Sequence, residues 1–217
     1  HSKEILTTPN KVFTEATWNR TSTSTDMPYS LSKTMAEIRA WEMAGSQRRW
    51  SMVAINPGFV LGPGVKYHPS SESTHFMIQM ADVAAVGAAK VDLSAVDVRD
   101  VADAHITAAF SDTANGRNIC VSTNSNVPTL GKSIKTKLPT ALFPTSVLPK
   151  WMFWLIAPYV GATRNYVANN VGYDMVFDNT KSMQELGIEY IEVSDTLAVM
   201  YEQLVGYGAI PNKDTKN

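Results

Sequence analysis

Apolar positions recur along this chain with two different periods, and the segments they mark alternate. Residues Tyr29 to about Gln47 are rich in helix formers, with Pro28 where a first helical turn tolerates it and Asp26 placed as a cap. The run WSMVAIN, Trp50 to Asn56, reads as a short buried strand stopped by Pro57-Gly58, and GFVLGPG then reads as a loop. A helix is expected from Ser73 to about Asp82. The alternating VDLSAVDV, residues 91–98, predicts a strand, followed by a helix DVADAHITAAF capped by Asp100. Asn118 to Ser122 predicts another short strand, and helices are expected near 127–137, 148–157, 180–186 and 194–205. Residues 1–25 are polar, rich in Ser and Thr, and read as loop. Strands alternating with helices indicate the α/β class with a parallel sheet. No internal repeat or low-complexity segment interrupts it.

Composition narrows the partners. The 217 residues are 44% hydrophobic and carry a formal net charge of -1. That suits one large domain or one and a half, with no overall electrostatic footprint for nucleic acid or an anionic membrane. The one cysteine, Cys120, excludes an internal disulfide and a cysteine-built metal site, and fits a reducing, cytoplasmic setting. The apolar stretch from Val147 to Gly161 contains Lys150 and Pro158 and is too short for a bilayer, which takes about 20 residues. It reads as a buried or pocket-lining helix. Within it, helical core packing is the expected account of most of the cluster Trp151, Phe153, Trp154 and Tyr159. The chain opens on His1, with no charged-then-apolar leader after it, so the numbering is expected to start inside a longer protein or after processing or tag removal.

The chemistry-bearing feature is MPYSLSKTMAE. It puts Tyr29 and Lys33 four residues apart at the start of a helix, one turn apart on one face. A phenol alone holds its proton too tightly to serve at neutral pH, and an adjacent ammonium favours the phenolate. Such a pair can add or remove the proton of an alcohol. The same spacing also arises by chance on solvated helix faces, so the neighbouring segments carry the argument.

YSLSKTMAE, the strand ending INPGFVLGP, and VDVRDVADAH resemble, in order and spacing, the extended short-chain dehydrogenase/reductase superfamily. The branch they look most like is that of dihydroflavonol and aldehyde/ketone reductases. The late segment FDNTKSMQELGIEY, Phe177 to Tyr190, is similar to that branch as well. The resemblance implies the later part of a Rossmann-type sheet, with residues 1–60 and 91–125 in the sheet domain. Residues 61–90 and 126–217 would form a small, mostly helical substrate-side part. Tyr29 would then be the general acid and Lys33 a ligand of the nicotinamide ribose that eases release of the tyrosine proton. Pro57, Gly58, Phe59 and Val60 would lie against the nicotinamide, and Ser73 near the cofactor phosphates. The implied cofactor is NADP, with NAD as the other choice. The implied partner is a small-molecule carbonyl substrate, with no nucleic acid or membrane, and two copies would pair through the Tyr29–Lys33 helix. Loop chemistry supports Pro57 to Val60 independently, because ligands of open parallel sheets bind beyond the carboxyl ends of strands.

Other features are set aside. GFVLGPG lacks the G-x-G-x-x-G spacing of a phosphate loop, and Pro63 removes an amide donor. Asp97, Asp100, Asp103 and His105 read as helix-start acids and a structural segment rather than a metal site. His68 and His75 read as satisfied polar groups. None of the 12 glycines forms the dinucleotide-gripping turn, and the superfamily's catalytic Ser or Thr would precede this chain. The nucleotide-binding N-terminal half is therefore expected to be absent. Two other readings stay open. One is a sugar-nucleotide epimerase or dehydratase with retained NAD, for which only Arg164 could read a diphosphate; the other is a non-catalytic binding protein on the same fold.

Overall fold

The computed structural model describes residues 1–212. The first long element is helix α1, Pro28–Gly45. The chain enters it through Met27 at φ 58°, with no side-chain cap. This corrects the expected Asp26 cap: the Asp26 carboxylate instead accepts from Asn165 Nδ2 at 2.8 Å and lies 3.3 Å from His1 Nε2. The polar start is not all loop. It holds two short 3-10 turns, Ser2–Leu6 and Pro9–Lys11, and Phe13 bridges to Phe177.

Among the described residues, three two-stranded parallel sheets confirm an α/β protein. Strand β1, Val53–Pro57, pairs in parallel with β5, Gly116–Cys120, in a register running from Val53–Gly116 to Pro57–Cys120. Strand β2, Phe59–Leu61, follows at once but pairs with β4, Ala95–Asp97. Between them the Gly58 amide donates to Cys120 O at 2.9 Å and the Phe59 amide to Ser94 O at 2.8 Å. One extended segment thus changes neighbours at Gly58. A Cβ there would lie 2.4 Å from the Ser94 carbonyl oxygen, which is the physical reason for glycine. A third parallel pair, β3 (Ala88–Ala89) with β6 (Val147–Leu148), lies beyond what the residue pattern signals.

The strand expected over 91–98 is regular only at Ala95–Asp97. Asp92 breaks it: its carboxylate accepts from the amide and hydroxyl of Ser94 and from the Met175 amide. Helix α3, Val98–Phe110, is capped by Asp97, whose Oδ1 accepts the Arg99 amide at 2.8 Å. The expected cap, Asp100, sits one turn inside, buried, and accepts the Ile191 amide at 3.0 Å. Asp103 and His105 are exposed, and among the described residues no group of three or more His, Cys, Asp or Glu is placed to hold a metal.

The main core joins α2 (Glu72–Asp82), α4 (Val127–Lys137) and α8 (Val193–Gly206) through Met77, Leu130, Ile134, Phe143 and Leu197, all fully buried. A second cluster packs α3 on β5 and α7, Thr180–Leu186. A third sets Ala157, Val167 and Val171 against Ala89. It holds α5, Lys150–Ile156, and α6, Arg164–Asn170, a helix capped by Thr163 that lies in no expected element. The aromatic cluster corrects the expectation of core packing: Phe153 is half-buried, while Trp151, Trp154 and Tyr159 stand exposed.

Asp97 links β4 and α3 to α8. Its fully buried carboxylate accepts from Arg99 Nε and Nη2 at 2.9 and 2.7 Å and from the Thr196 hydroxyl at 2.8 Å. Burial alone opposes the charge, but the bonds from Arg99 and Thr196 prevail and hold this carboxyl below the usual range. For Asp92 and Asp100 burial prevails, and both are raised. A lowered carboxyl contributes stability that is complete above the unfolded value, about 3.9, and lost as pH falls through the folded one. Asp97→Asn should therefore cost about 2 kcal/mol at neutral pH. Its penalty should shrink in acid, measured as denaturant midpoints across pH; a penalty independent of pH would contradict the charge-based account.

Candidate active site

Several segments distant in sequence close around one cleft of about 420 Å³. Helix α1 supplies Tyr29, Ser30, Lys33 and Thr34 from its first turns. The end of β1 supplies Asn56 and Pro57, with Gly58 at the neighbour change. The loop before α1 supplies Trp18 and Asn19, and β5 supplies Arg117 and Ile119. Met175, Phe177 and Asn170 complete the far wall. Such a volume and a largely apolar lining with a few polar groups suit a small organic ligand.

Helical spacing puts Tyr29 and Lys33 on one face, and the Lys33 ammonium lies 5.5 Å from the centre of the Tyr29 ring. Both side chains are exposed, Tyr29 at 72%. The backbone beneath them is tied down locally: the Ser32 hydroxyl donates to Tyr29 O at 2.7 Å and the Thr34 hydroxyl to Ser30 O at 2.9 Å. Asn19 Nδ2 bridges the entering loop to the helix through Ser22 and Thr34.

One turn past Lys33 lies Glu37, which is held in a largely buried ion pair. Arg117 Nε donates to Glu37 Oε1 at 2.8 Å and Nη2 donates to Oε2 at 3.2 Å, a forked pair with both side chains largely buried. Arg117 Nη1 also donates to the carbonyls of Glu15 and Thr17, and its guanidinium lies 4.2 Å over the Trp18 ring. Glu15 returns the connection by accepting the Ile119 amide at 3.1 Å. Asn56 donates to Glu37 Oε2 at 3.3 Å, while its own buried Oδ1 has no hydrogen-bond partner.

The residues singled out from the sequence do not all meet. Tyr29, Lys33, Pro57 and Gly58 line this cleft together. Val60 and Ser73 line a different depression beside α8, where the Ser73 hydroxyl donates to Val60 O at 2.6 Å. Phe59 packs on the main core, edge-on to Phe76 at 5.2 Å between ring centres. His68 also lies by that second depression, its Nδ1 2.9 Å from the Ser70 hydroxyl. Arg164 lies over the Trp154 ring at 4.2 Å, outside the cleft lining.

Arg117, Glu37, Trp18 and Asn56 were not identified from sequence. The spacing Tyr29, Lys33, Glu37 does extend one helix face at four-residue steps, so Glu37 was within reach; Arg117 lies 80 residues away and carries no local signal. The residues present fit the nicotinamide end of a dinucleotide: a cation and a phenol on one wall, glycine backbone opposite, and a buried acceptor without a partner. No segment of the sequence supplies a Gly-rich turn for the diphosphate.

Residues 2–121 match the NAD dependent epimerase/dehydratase family. Cinnamoyl-CoA reductase 2 of Medicago truncatula is 28% identical over 187 residues, which cover 84% of this chain and 48% of that protein. Anthocyanidin reductase of Arabidopsis thaliana is 30% identical over 118 residues, 51% of this chain and 34% of that one. Among solved structures, Gre2 from Candida albicans in complex with NADPH superposes with a TM-score of 0.62 at 27% identity, covering 90% of this chain and 57% of that one. The chain spans about half the length of the curated relatives it matches or less.

Replacing Arg117 by Met removes the guanidinium from both the Trp18 ring and Glu37, and leaves that carboxylate without its cation. The cost should be about 3 kcal/mol of stability. Chemical denaturation measures it, and an unchanged midpoint would mean the pair contributes nothing.

Proposed function

Because the chain belongs to the NAD dependent epimerase/dehydratase family, we propose that the enzyme it forms part of is an NADPH-dependent reductase of aldehydes, ketones or dihydroflavonol-like carbonyls. The observation that carries this reading is the meeting of Tyr29, Lys33, Pro57 and Gly58 on one cleft. The reductase character of cinnamoyl-CoA reductase, anthocyanidin reductase and Gre2 supports the reaction class, and the NADPH held by Gre2 supports the cofactor.

When bound, reduced nicotinamide supplies the hydride that adds to the carbonyl carbon. The Tyr29 hydroxyl donates its proton to the carbonyl oxygen, completing the alcohol, and the tyrosine is reprotonated from solvent. Lys33 faces the phenol ring with its positive charge and stabilises the phenolate left behind. Lys33, Pro57 and Gly58 would hold the nicotinamide end. The Glu37–Arg117 pair fixes the roll of α1, so that both groups keep facing the cleft. Substrate and cofactor would shed water from an otherwise exposed Tyr29, strengthening each of these interactions.

The competing epimerase reading asks for an arginine free to bind a diphosphate. Arg164, its one candidate, is stacked on Trp154 outside the cleft lining, which favours the reductase reading over it. Pairing of two copies along α1 is proposed with it, since Met35, Ile38 and Met43 are exposed on that helix.

In the full-length protein Tyr29→Phe and Lys33→Met should each lower carbonyl reduction by about 10²- to 10⁴-fold, with folding unchanged by circular dichroism. NADPH consumption with a panel of aldehydes, ketones and dihydroflavonols reads this out. Reduction by Tyr29→Phe at the wild-type rate would remove the proton-donor role.

A further inference from the structure

The net charge of -1 hides an asymmetry along the chain. Residues 113–173 contain six Lys or Arg and no Asp or Glu. Within that stretch lies an exposed, largely apolar segment from Lys150 to Val160. Helix α5 is anchored by Phe153, and the 3-10 turn after it by Ala157, both on the third core cluster. All its other residues stand in solvent. Trp151, Trp154 and Leu155 share one face at helical spacing, with Trp151 65% and Leu155 50% exposed. Met152 and Ile156 extend that face sideways, and Tyr159 (90% exposed) and Val160 (58%) continue it. A patch of this kind on one small element calls for something to cover it.

Charge decides which cover. Two cations border the ridge: Lys150, whose Nζ caps Ala168 O at 3.0 Å and lies 4.7 Å from the Tyr173 ring, and Arg164, stacked on Trp154. Two carboxylates adjoining these elements are already engaged, Asp174 with Lys90 at 2.7 Å and Asp26 with Asn165 and His1. Exposed Trp and Tyr with an apolar body and a basic border is the composition that settles at the headgroup level of a bilayer. A second copy fits less well, because a two-fold contact would bring Lys150 and Arg164 of both copies together.

We propose that this ridge, Trp151, Trp154, Leu155, Tyr159 and Val160, is a peripheral docking surface for an anionic lipid bilayer, seated in the interface and steered by Lys150 and Arg164. It lies on the membrane and does not span it: among the described residues no helix is long and apolar enough to cross. Helix α6 connects the two places, since it begins at Arg164 beside the ridge and ends at Asn170 in the cleft wall. A carbonyl compound dissolved in lipid would thus lie one short helix from Tyr29.

Co-sedimentation of the full-length protein with vesicles tests this. Vesicles containing phosphatidylserine should retain the wild type about tenfold better than pure phosphatidylcholine, with the difference shrinking in high salt. Trp151→Glu with Leu155→Glu should abolish retention while leaving the unfolding midpoint and NADPH-dependent reduction of a water-soluble carbonyl unchanged. A wild type that stays in solution with both vesicle types overturns the proposal, as does a ridge variant that sediments like wild type. If the substitutions instead dissolve a dimer, or release an acidic protein partner, with no vesicle binding by either form, the ridge belongs to a protein contact and the proposal also falls. Loss of reductase activity in Tyr29→Phe bears on the cleft alone, so the two proposals fail separately.

Discussion

Arg117 joins three segments that are distant in sequence, and the cleft depends on that junction. Its forked bond to Glu37 reaches from β5 to α1, its remaining amine holds the carbonyls of Glu15 and Thr17, and its flat face covers Trp18. Each contact satisfies a group that burial would otherwise penalise. Because Glu37 lies one turn beyond Lys33, a bond at Glu37 sets the roll of the whole helix face that carries Tyr29. Without it α1 has little else to hold its orientation, since none of its residues is fully buried.

The second constraint is the change of strand neighbour at Gly58. Up to Pro57 the chain ladders on β5; from Phe59 it ladders on β4. Divergence of neighbours at the carboxyl end of a strand leaves the gap in which ligands of parallel sheets sit. A side chain at position 58 would collide with the Ser94 carbonyl and force β2 away from β4. Asp97 then locks the far side, joining β4, α3 and α8 through one carboxylate. Cleft and core are thereby coupled, because the strand that ends at the cleft wall continues into the segment packed beneath α8.

Charge and apolar surface are distributed with the same economy. Asp97, Asp100 and Glu37 clamp segments distant in sequence, while the stretch from 113 to 173 has no acidic residue. The helices within that stretch therefore carry a basic, aromatic surface on a protein whose overall charge is near neutral. A seven-residue helix with two tryptophans buries only the one face that meets its neighbours, here through Phe153, and leaves Trp151 and Trp154 outside.

Local chemistry alone determined a good deal here. Periodicity and punctuation placed α1, α2, α4, α7 and α8, the strand ended by Pro57, and the parallel α/β class, since each is set by neighbours within a few residues. Four-residue spacing by itself put Tyr29 and Lys33 on one helix face. What lay beyond the sequence depended on contacts between distant residues. Asp97 rather than Asp100 caps α3, and Asp92 cuts short an alternating strand, because each carboxylate meets partners from far along the chain: Thr196 for Asp97, Ile191 for Asp100 and Met175 for Asp92. Only the tertiary structure brought Arg117 to Glu37, took Phe59 into the core and Ser73 to Val60, and turned Trp151 and Trp154 outward. Side-chain type and period fix what a segment can become; which face it buries is decided by what arrives from elsewhere in the chain.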